Sequence, residues 1–383
     1  MDIQRVAIIG GGIGGLTTAI ALQRHGFETH IYEAAEELNA VGAGIMVPPN
    51  ALQVLDRLGL AEAVRAEGTP SRLAEVYDYR AGLLQVIDLA AVERRWDWPT
   101  VAIHRARLQR VLVSGVAPGS LYLGKACRRV VADGRQAGVE FADGSETHAD
   151  IVVGADGIRS VTRHAVQPDV QLRYSGQTSY RAVVPFELPP ELVGVAREIW
   201  GPGRRFGFTA IGHGEVYWYA TLDAAEGERD VPGAVGRRLA TLFTTFPAPI
   251  GDLIAATPDD RILRTDMYDF RPIPSWHQGR IVLLGDAAHA TTPNLGQGGA
   301  QAIEDAWVLA DRLSAGPNPE TAIREYERIR MPKARMVVKR SWTLGRIAHL
   351  SNPLARQLRN TLLRHTPASV LRRQTEALYE LGY

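Results

Sequence analysis

Val6-Ala7-Ile8-Ile9-Gly10-Gly11-Gly12-Ile13-Gly14-Gly15 decides the fold of this chain. The first four residues are apolar and rich in β-branching, which predicts a buried parallel strand. Residues 16–24 follow at helical spacing, with Gly26 as a stop. Gly10, Gly12 and Gly15 fit the G-x-G-x-x-G pattern. In it the first glycine makes the tight turn, the second lets backbone approach a pyrophosphate, and the third lets helix and strand pack closely. Thr29-His30-Ile31-Tyr32 predicts a second strand that runs out at Glu33-Ala34. An acid about 20 residues past the glycines is placed to bind an adenosine ribose hydroxyl, whereas a purely structural turn would leave Glu33 without a task. The same carboxylate repels a 2′-phosphate. A dinucleotide is implied, either NAD or FAD.

Two later segments want the same partner. Arg280-Ile281-Val282-Leu283-Leu284 reads as a strand, followed by Gly285-Asp286-Ala287-Ala288-His289 and Pro293-Asn294-Leu295-Gly296-Gln297-Gly298-Gly299, then by a helix-like run over 300–314. Such a turn presents a carboxylate together with free backbone N–H groups. That suits a polar, partly anionic cofactor with hydroxyls to bind and a ring to stabilise. Asp150-Ile151-Val152-Val153-Gly154-Ala155-Asp156-Gly157 is again a buried strand ending in acid and glycine.

With three such motifs in this order, the chain resembles the class A flavin-dependent aromatic monooxygenases of the p-hydroxybenzoate hydroxylase type. The resemblance also takes in Val41-Gly42-Ala43-Gly44-Ile45, Pro49-Asn50-Ala51 and His104-Arg105-Ala106-Arg107-Leu108, and it covers most of residues 1–340. It implies an α/β fold: a Rossmann-like FAD-binding domain (GR2-type) with an inserted β-rich substrate domain and C-terminal helices. It also implies FAD as the resident cofactor and NADH or NADPH as a transient co-substrate. The absence of a second G-x-G-x-x-G suits a visiting nicotinamide.

By the same resemblance, the turn of Gly10, Gly12, Ile13, Gly14 and Gly15 carries the FAD pyrophosphate, and Glu33 with Ala34 holds the adenosine ribose. Arg105 faces the ribityl–phosphate region, and Asp286, after Gly285, binds the ribityl chain. Backbone of Gly296, Gln297, Gly298 and Gly299 faces the pyrimidine edge of the isoalloxazine, and Asp156-Gly157 serves both FAD and the nicotinamide donor. The glycine loop has a physical reason of its own, because reduced flavin carries negative charge near N1 that a helix N-terminus stabilises. The implied reaction reduces FAD with NAD(P)H, captures O2, and transfers one oxygen atom from the C4a-hydroperoxide to an electron-rich aromatic or heteroaromatic substrate. The protein positions that substrate and keeps water out. Epoxidation of an alkene is one alternative. Another is a saturase resembling geranylgeranyl reductase, which would need a long apolar cavity. A non-catalytic dinucleotide module would tolerate loss of the loop glycines, yet all are present.

Composition sets bounds. At 383 residues the chain is long enough for two or three domains. With 43 Lys+Arg against 42 Asp+Glu there is no bulk charge to attract nucleic acid. Cys127 is the sole cysteine, which excludes an intrachain disulfide and a cysteine-rich metal site, and it reads as a packed small hydrophobe. The scattered histidines show no ligand spacing. No run reaches the roughly 20 apolar residues of a membrane span, and the Met1 start leads straight into strand, leaving no room for a signal peptide. A cytoplasmic monomer or homodimer is expected, with O2 and a small aromatic or alkene substrate as its partners.

The cofactor motifs are separated, so one domain must be assembled from 1–74, 101–173 and 273–340. Residues 75–100 and 174–272 have a β-rich, alternating texture, with His213-Gly214 as a hairpin turn, and predict the substrate sheet. The segment 341–383 is helical in pattern, with six arginines against two glutamates. It is either an amphipathic membrane-surface helix or a solvated face packed on the cofactor domain. Isolated leucines and the interrupting Pro353 and Pro367 favour the second.

On the substrate side, FAD-dependent urate hydroxylases in this family use an arginine and a tyrosine on the sheet and an aspartate in the later loop. Arg205 and Tyr217 match the first two, but the third position is Asn294, which cannot accept a proton as a carboxylate does. Salicylate hydroxylases and zeaxanthin epoxidase-type enzymes share the framework, the latter often with a Pro-Asn pair like Pro293-Asn294. Pro293 would pack beside the flavin ring. Arg205 either binds an anionic substrate or belongs to a solvated turn after Gly201-Pro202-Gly203. By strand parity, either Tyr217 and Tyr219 or Trp218 line the site, with Tyr217 favoured. His289 reads as a structural hydrogen-bonder near the cofactor. Glu304-Asp305 reads as a favourable charge near a helix N-terminus rather than a carboxylate pair.

Overall fold

The computed structural model describes residues 4–38, 43–134 and 136–383; Met1 and the motif residues Val41 and Gly42 lie outside them. The expected first strand spans Arg5–Ile9, interior from Val6 onward. It pairs in parallel with Glu28–Tyr32 on one side and Ile151–Gly154 on the other, and Ile151–Gly154 pairs in parallel with Ile281–Leu283. Leu121–Tyr122 and the antiparallel His277–Gln278 complete a six-stranded sheet. All three glycine motifs therefore leave the carboxyl ends of neighbouring parallel strands, where doubly wound sheets bind ligands. Helix Ile13–Arg24 crosses this sheet and packs against helix Gly298–Ala315. Gly15 permits the crossing, since a Cβ there would stand 1.9 Å from the Gly10 carbonyl oxygen.

A seven-stranded sheet forms the second layer, in the order Leu263–Asp269, Arg173–Pro185, Glu215–Asp223, Arg204–Ala210, Val195–Gly201, Leu73–Asp78, Gly82–Asp88. Alternation gives it two faces. One buries Tyr180, Phe206, Phe208 and Trp218 in an apolar core with helices Val235–Phe243 and Ile250–Ala255. The other carries Glu198, Trp200, Arg205, Tyr217 and Tyr219 toward the glycine-rich loop of the first layer. The parity question is thereby answered: Trp218 is core, and both tyrosines face the cleft.

A 30-residue helix, Pro319–Ala348, joins the layers and runs through residue 340 without a break. Two further helices follow, Pro353–Arg364 and Ala368–Tyr379. Pro353 and Pro367 interrupt the helical pattern as expected, since the chain leaves the helix before each of them. They sit at helix starts, where a missing N–H costs nothing. The expected packing on the cofactor domain holds for Ala368–Tyr379, which contacts Pro319–Ala348 and Pro49–Arg57. Pro353–Arg364 instead lies on strand Gly82–Asp88 of the seven-stranded sheet. The buried Asp78 draws it there, accepting from Arg356 and Asn360 at 3.0 Å each.

Candidate active site

On the cofactor side, open backbone is presented at Gly12 among the described residues. No side chain caps the helix that begins at Ile13, and a Cβ on Gly12 would meet no atom within 4 Å. Gly10 takes φ +106, a conformation that favours glycine, and packs against the Ala155 carbonyl. Glu33 is fixed at the end of its strand: Oε2 accepts from Gly11 N–H at 2.6 Å and Oε1 from Ala35 N–H at 2.9 Å. Ala34 is exposed beside it.

Asp286 follows Gly285 at the mouth of the cleft and is exposed to it. Among the described residues its carboxylate has no hydrogen-bond partner. The surrounding protein raises its pKa, and the positive charges of His289, Arg105 and Arg163 oppose that rise. Arg105 heads helix Arg105–Ser114 and is exposed, its own N–H held by the Ala43 carbonyl at 2.9 Å. In the glycine loop Gly296 takes φ +62 after the short turn Pro293–Leu295, and the chain enters helix Gly298–Ala315 without a side-chain cap. The Gln297 side chain turns inward, its Oε1 accepting from Asn50 Nδ2 at 3.1 Å and Gln301 Nε2 at 3.0 Å. Backbone rather than side chain therefore faces the cleft. These residues fit FAD: an unobstructed approach at Gly12, a fixed acid for the ribose, an unpartnered carboxylate for hydroxyls, and a helix N-terminus for the flavin's negative edge.

Asp156 is used differently. Its Oδ1 accepts from Ser160 Oγ at 2.5 Å, and its Oδ2 accepts from Thr162 N–H at 2.9 Å and Thr162 Oγ1 at 3.1 Å. Its carboxylate holds the turn and the helix that follows, while Gly157, half-buried at φ +76, has open space beside it.

Behind the loop lies a buried ion cluster that corrects the reading of Glu304-Asp305. Neither is an exposed terminal charge; both are 0% exposed, and Arg330 bridges them, with Nη1 to Glu304 at 2.6 Å and Nε to Asp305 at 2.8 Å. Adjacent helical residues do diverge, but one long guanidinium from a neighbouring helix reaches both. Asp305 Oδ2 also accepts from Gly285 N–H at 3.0 Å and pairs with His289 Nε2 at 2.6 Å. Burial alone would raise the Asp305 pKa; His289, Arg330 and these hydrogen bonds hold it at about 2. His289 thus fixes the turn that presents Asp286.

On the substrate face, Arg205 is not in a solvated turn. It is 2% exposed within strand Arg204–Ala210. Its Nη1 meets Glu198 Oε1 at 2.9 Å, its Nε meets Thr221 Oγ1 at 2.8 Å, and its Nη2 donates to Asn294 Oδ1. Asn294 in turn donates to Thr292 Oγ1 and to the Ser341 carbonyl, both at 2.9 Å, so it orients Arg205 and is no base. Tyr219 hydroxyl donates to Glu198 Oε2 at 2.9 Å, lying across Gly207, where a Cβ would stand 2.3 Å from its ring. Tyr217 lies against Gly44 in the same way, and burial pushes its phenol up to about 12 despite Arg181. Pro293 is exposed at the cleft between the two layers.

Glu198 escaped the sequence reading. The signal was there: a hairpin at Gly201-Pro202-Gly203 sets Trp200 opposite Arg205 and Glu198 opposite Gly207, so Glu198 and Arg205 become diagonal neighbours on one face. His349 also escaped it, from a helix end 128 residues away in sequence: Nε2 is 2.8 Å from Thr221 Oγ1 and Nδ1 is 2.7 Å from Asp223.

The open glycine cradle, the unpartnered Asp286 carboxylate and a facing polar sheet suit a flavin enzyme. Residues 4–341 match the family described as FAD binding domain, and the chain belongs to it. It is 42% identical over 365 residues to the aurachin C monooxygenase/isomerase of Stigmatella aurantiaca, covering 94% of this chain and 93% of that one. It is 34% identical over 378 residues to the 2-heptyl-3-hydroxy-4(1H)-quinolone synthase of Pseudomonas aeruginosa, covering 98% and 97%. The crystal structure of Klebsiella pneumoniae HpxO complexed with FAD and uric acid superposes with a TM-score of 0.91 at 29% identity, covering 98% of this chain and 96% of that one. The protein is an FAD-dependent monooxygenase. Among the described residues no helix is long and apolar enough to cross a membrane.

Proposed function

We propose that this monooxygenase inserts one oxygen atom into a neutral, N–H-bearing heteroaromatic ring of the 4(1H)-quinolone kind, with NADH or NADPH as electron donor. One observation carries the reading: the buried Arg205 is already neutralised by Glu198 at 2.9 Å, so this guanidinium is no free anchor for an anionic ligand. Glu198 accepts from Arg205 and Trp200 on Oε1 and from Tyr219 on Oε2, which leaves one acceptor site on Oε2 for a ring N–H. Tyr217, protonated, is the donor for a ring carbonyl. A ring held this way releases electron density from nitrogen to the carbon beside the carbonyl, where an electrophilic oxygen attacks. A relative named for a 3-hydroxy-4(1H)-quinolone product agrees with that outcome.

Bound FAD supplies the electron transfer from the nicotinamide to O2 that makes an oxygen atom available. The chain's own residues do the rest in this reading. Gly12 and Gly15 admit the pyrophosphate, Glu33 and Ala34 the ribose, Asp286 and Arg105 the ribityl chain, and the Gly296–Gly299 backbone the ring. Residues 1–74, 101–173 and 273–340 carry the cofactor, 75–100 and 174–272 the substrate, and 341–383 close the far side.

The test is NADH and NADPH oxidation by the holoenzyme against 2-alkyl-4(1H)-quinolones, urate and salicylate, with products read by mass spectrometry. O2-dependent stimulation strongest with a neutral quinolone is expected. In Glu198→Gln, kcat/KM for the quinolone should fall about 100-fold while flavin content and substrate-free NADH oxidation stay unchanged. A preference for urate or salicylate would overturn the reading.

A further inference from the structure

Helix Pro353–Arg364 is polar inside and apolar outside. On its inward face Arg359 and Asn360 are 4% and 7% exposed and gather with Arg356 around Asp78. On its outward face Leu354, Leu358 and Leu362, one turn apart, are 77%, 63% and 63% exposed. A water-facing helix shows the reverse arrangement. The three leucines line one side of a single helix and so form a patch rather than standing singly; Leu83 on the strand beneath, Ile347 on the preceding helix and Val370 on the following one are exposed as well.

Exposed cations lie in the same C-terminal segment. Arg346, Arg364, Arg372 and Arg373 are all exposed. Arg364 bonds only to the backbone carbonyls of Ala81 and Leu83, so no carboxylate offsets its charge there. The segment 341–383 holds six arginines against two glutamates, of which Glu376 stands 3.8 Å from Arg372. A second copy of this chain meeting the same face about a two-fold axis would bring arginines against arginines. A surface with anionic headgroups over apolar chains complements both features at once.

We propose that this face docks on an anionic lipid bilayer, lying in the interface without crossing it. The leucines enter the boundary between headgroups and acyl chains, and the arginines engage phosphates. The opposite face of the same helix reaches the substrate layer: Arg359 stacks over Trp200, whose indole N–H donates to Glu198. Docking therefore sets the substrate face beside the bilayer, whichever ring the enzyme takes.

The experiment is flotation of the holoenzyme with phosphatidylcholine vesicles, with and without phosphatidylglycerol. Comparison is with the triple variant Leu354→Ser, Leu358→Ser, Leu362→Ser and with Arg372→Gln, Arg373→Gln. Wild type should float with the anionic vesicles at low salt, and at least about tenfold less with neutral vesicles, at high salt or in either variant. Because the leucines are exposed, the triple variant should keep its flavin and its melting temperature. Absence of wild-type flotation with anionic vesicles at low salt would overturn the proposal, as would equal flotation of the variants. A dimer by light scattering that the triple variant converts to monomer would assign the face to a second copy instead.

Discussion

The two walls of the cleft treat their polar groups in opposite ways. On the cofactor wall the Asp286 carboxylate has no hydrogen-bond partner among the described residues, and the space beside Gly12 is open. On the substrate wall Arg205 is engaged by Glu198, Thr221 and Asn294, and Glu198 by three donors. A ligand that brings phosphates and hydroxyls is met by groups left open for it. A ligand of little charge is met by a wall whose central Arg205–Glu198 pair is already balanced.

The comparison fails most visibly if the support behind the open wall is dispensable. Arg330→Leu removes the cation that bridges the buried Glu304 and Asp305, leaving each a single ion-pair partner in Lys333 and His289, and should destabilise the protein by about 3–5 kcal/mol, measured by urea unfolding. A loss under about 1 kcal/mol would mean that the cluster does not hold the loop. Next comes a pair of glycine substitutions. Gly15→Val should prevent folding, because its Cβ collides with the Gly10 carbonyl. Gly12→Val should give soluble protein that has lost its flavin. If both variants fold and stay yellow, the open-wall reading is wrong.

Asp286→Ala should weaken FAD at least tenfold, since a hydrogen bond to a charged group contributes about 1.5–3 kcal/mol; flavin retained through gel filtration at wild-type level would contradict it. The smallest effects are those of pH. The Asp305 pKa is depressed from 3.8 to about 2, so its contribution to stability is present above about pH 4 and fades as pH falls toward 2. The gap in melting temperature between wild type and Asp305→Asn should narrow over that window. Tyr217, raised to about 12, stays protonated through the usual tyrosine range near 10. Tyr217→Phe should lower kcat/KM for the quinolone, and a variant as active as wild type would remove Tyr217 as the donor.

What could be read in the chain beforehand follows from range. The glycine motifs, their strands and Glu33 are local patterns in which identity and spacing carry the chemistry, and they stand where expected. Tyr217 and Tyr219 were half legible: alternation separated them from Trp218 without saying which set faced inward. The Glu304-Asp305 cluster was misread because its partner Arg330 lies on another helix, and no local pattern announces a bridge between helices. The C-terminal leucines looked isolated in the linear chain and became a stripe only when the inward side of the helix proved to be the polar one.

One helix gives the two walls a common gauge. Over its 30 residues, about 45 Å at 1.5 Å per residue, Pro319–Ala348 ties Arg330 to the cofactor loop, receives Asn294 on the Ser341 carbonyl, and accepts from Gln177 of the substrate sheet at Gly345. The gap between the two walls is thus a manufactured tolerance set by a single rod. Strand residues such as Glu198 can be exchanged, and the chemistry the pocket accepts can drift over evolution, while the reacting centres keep their distance.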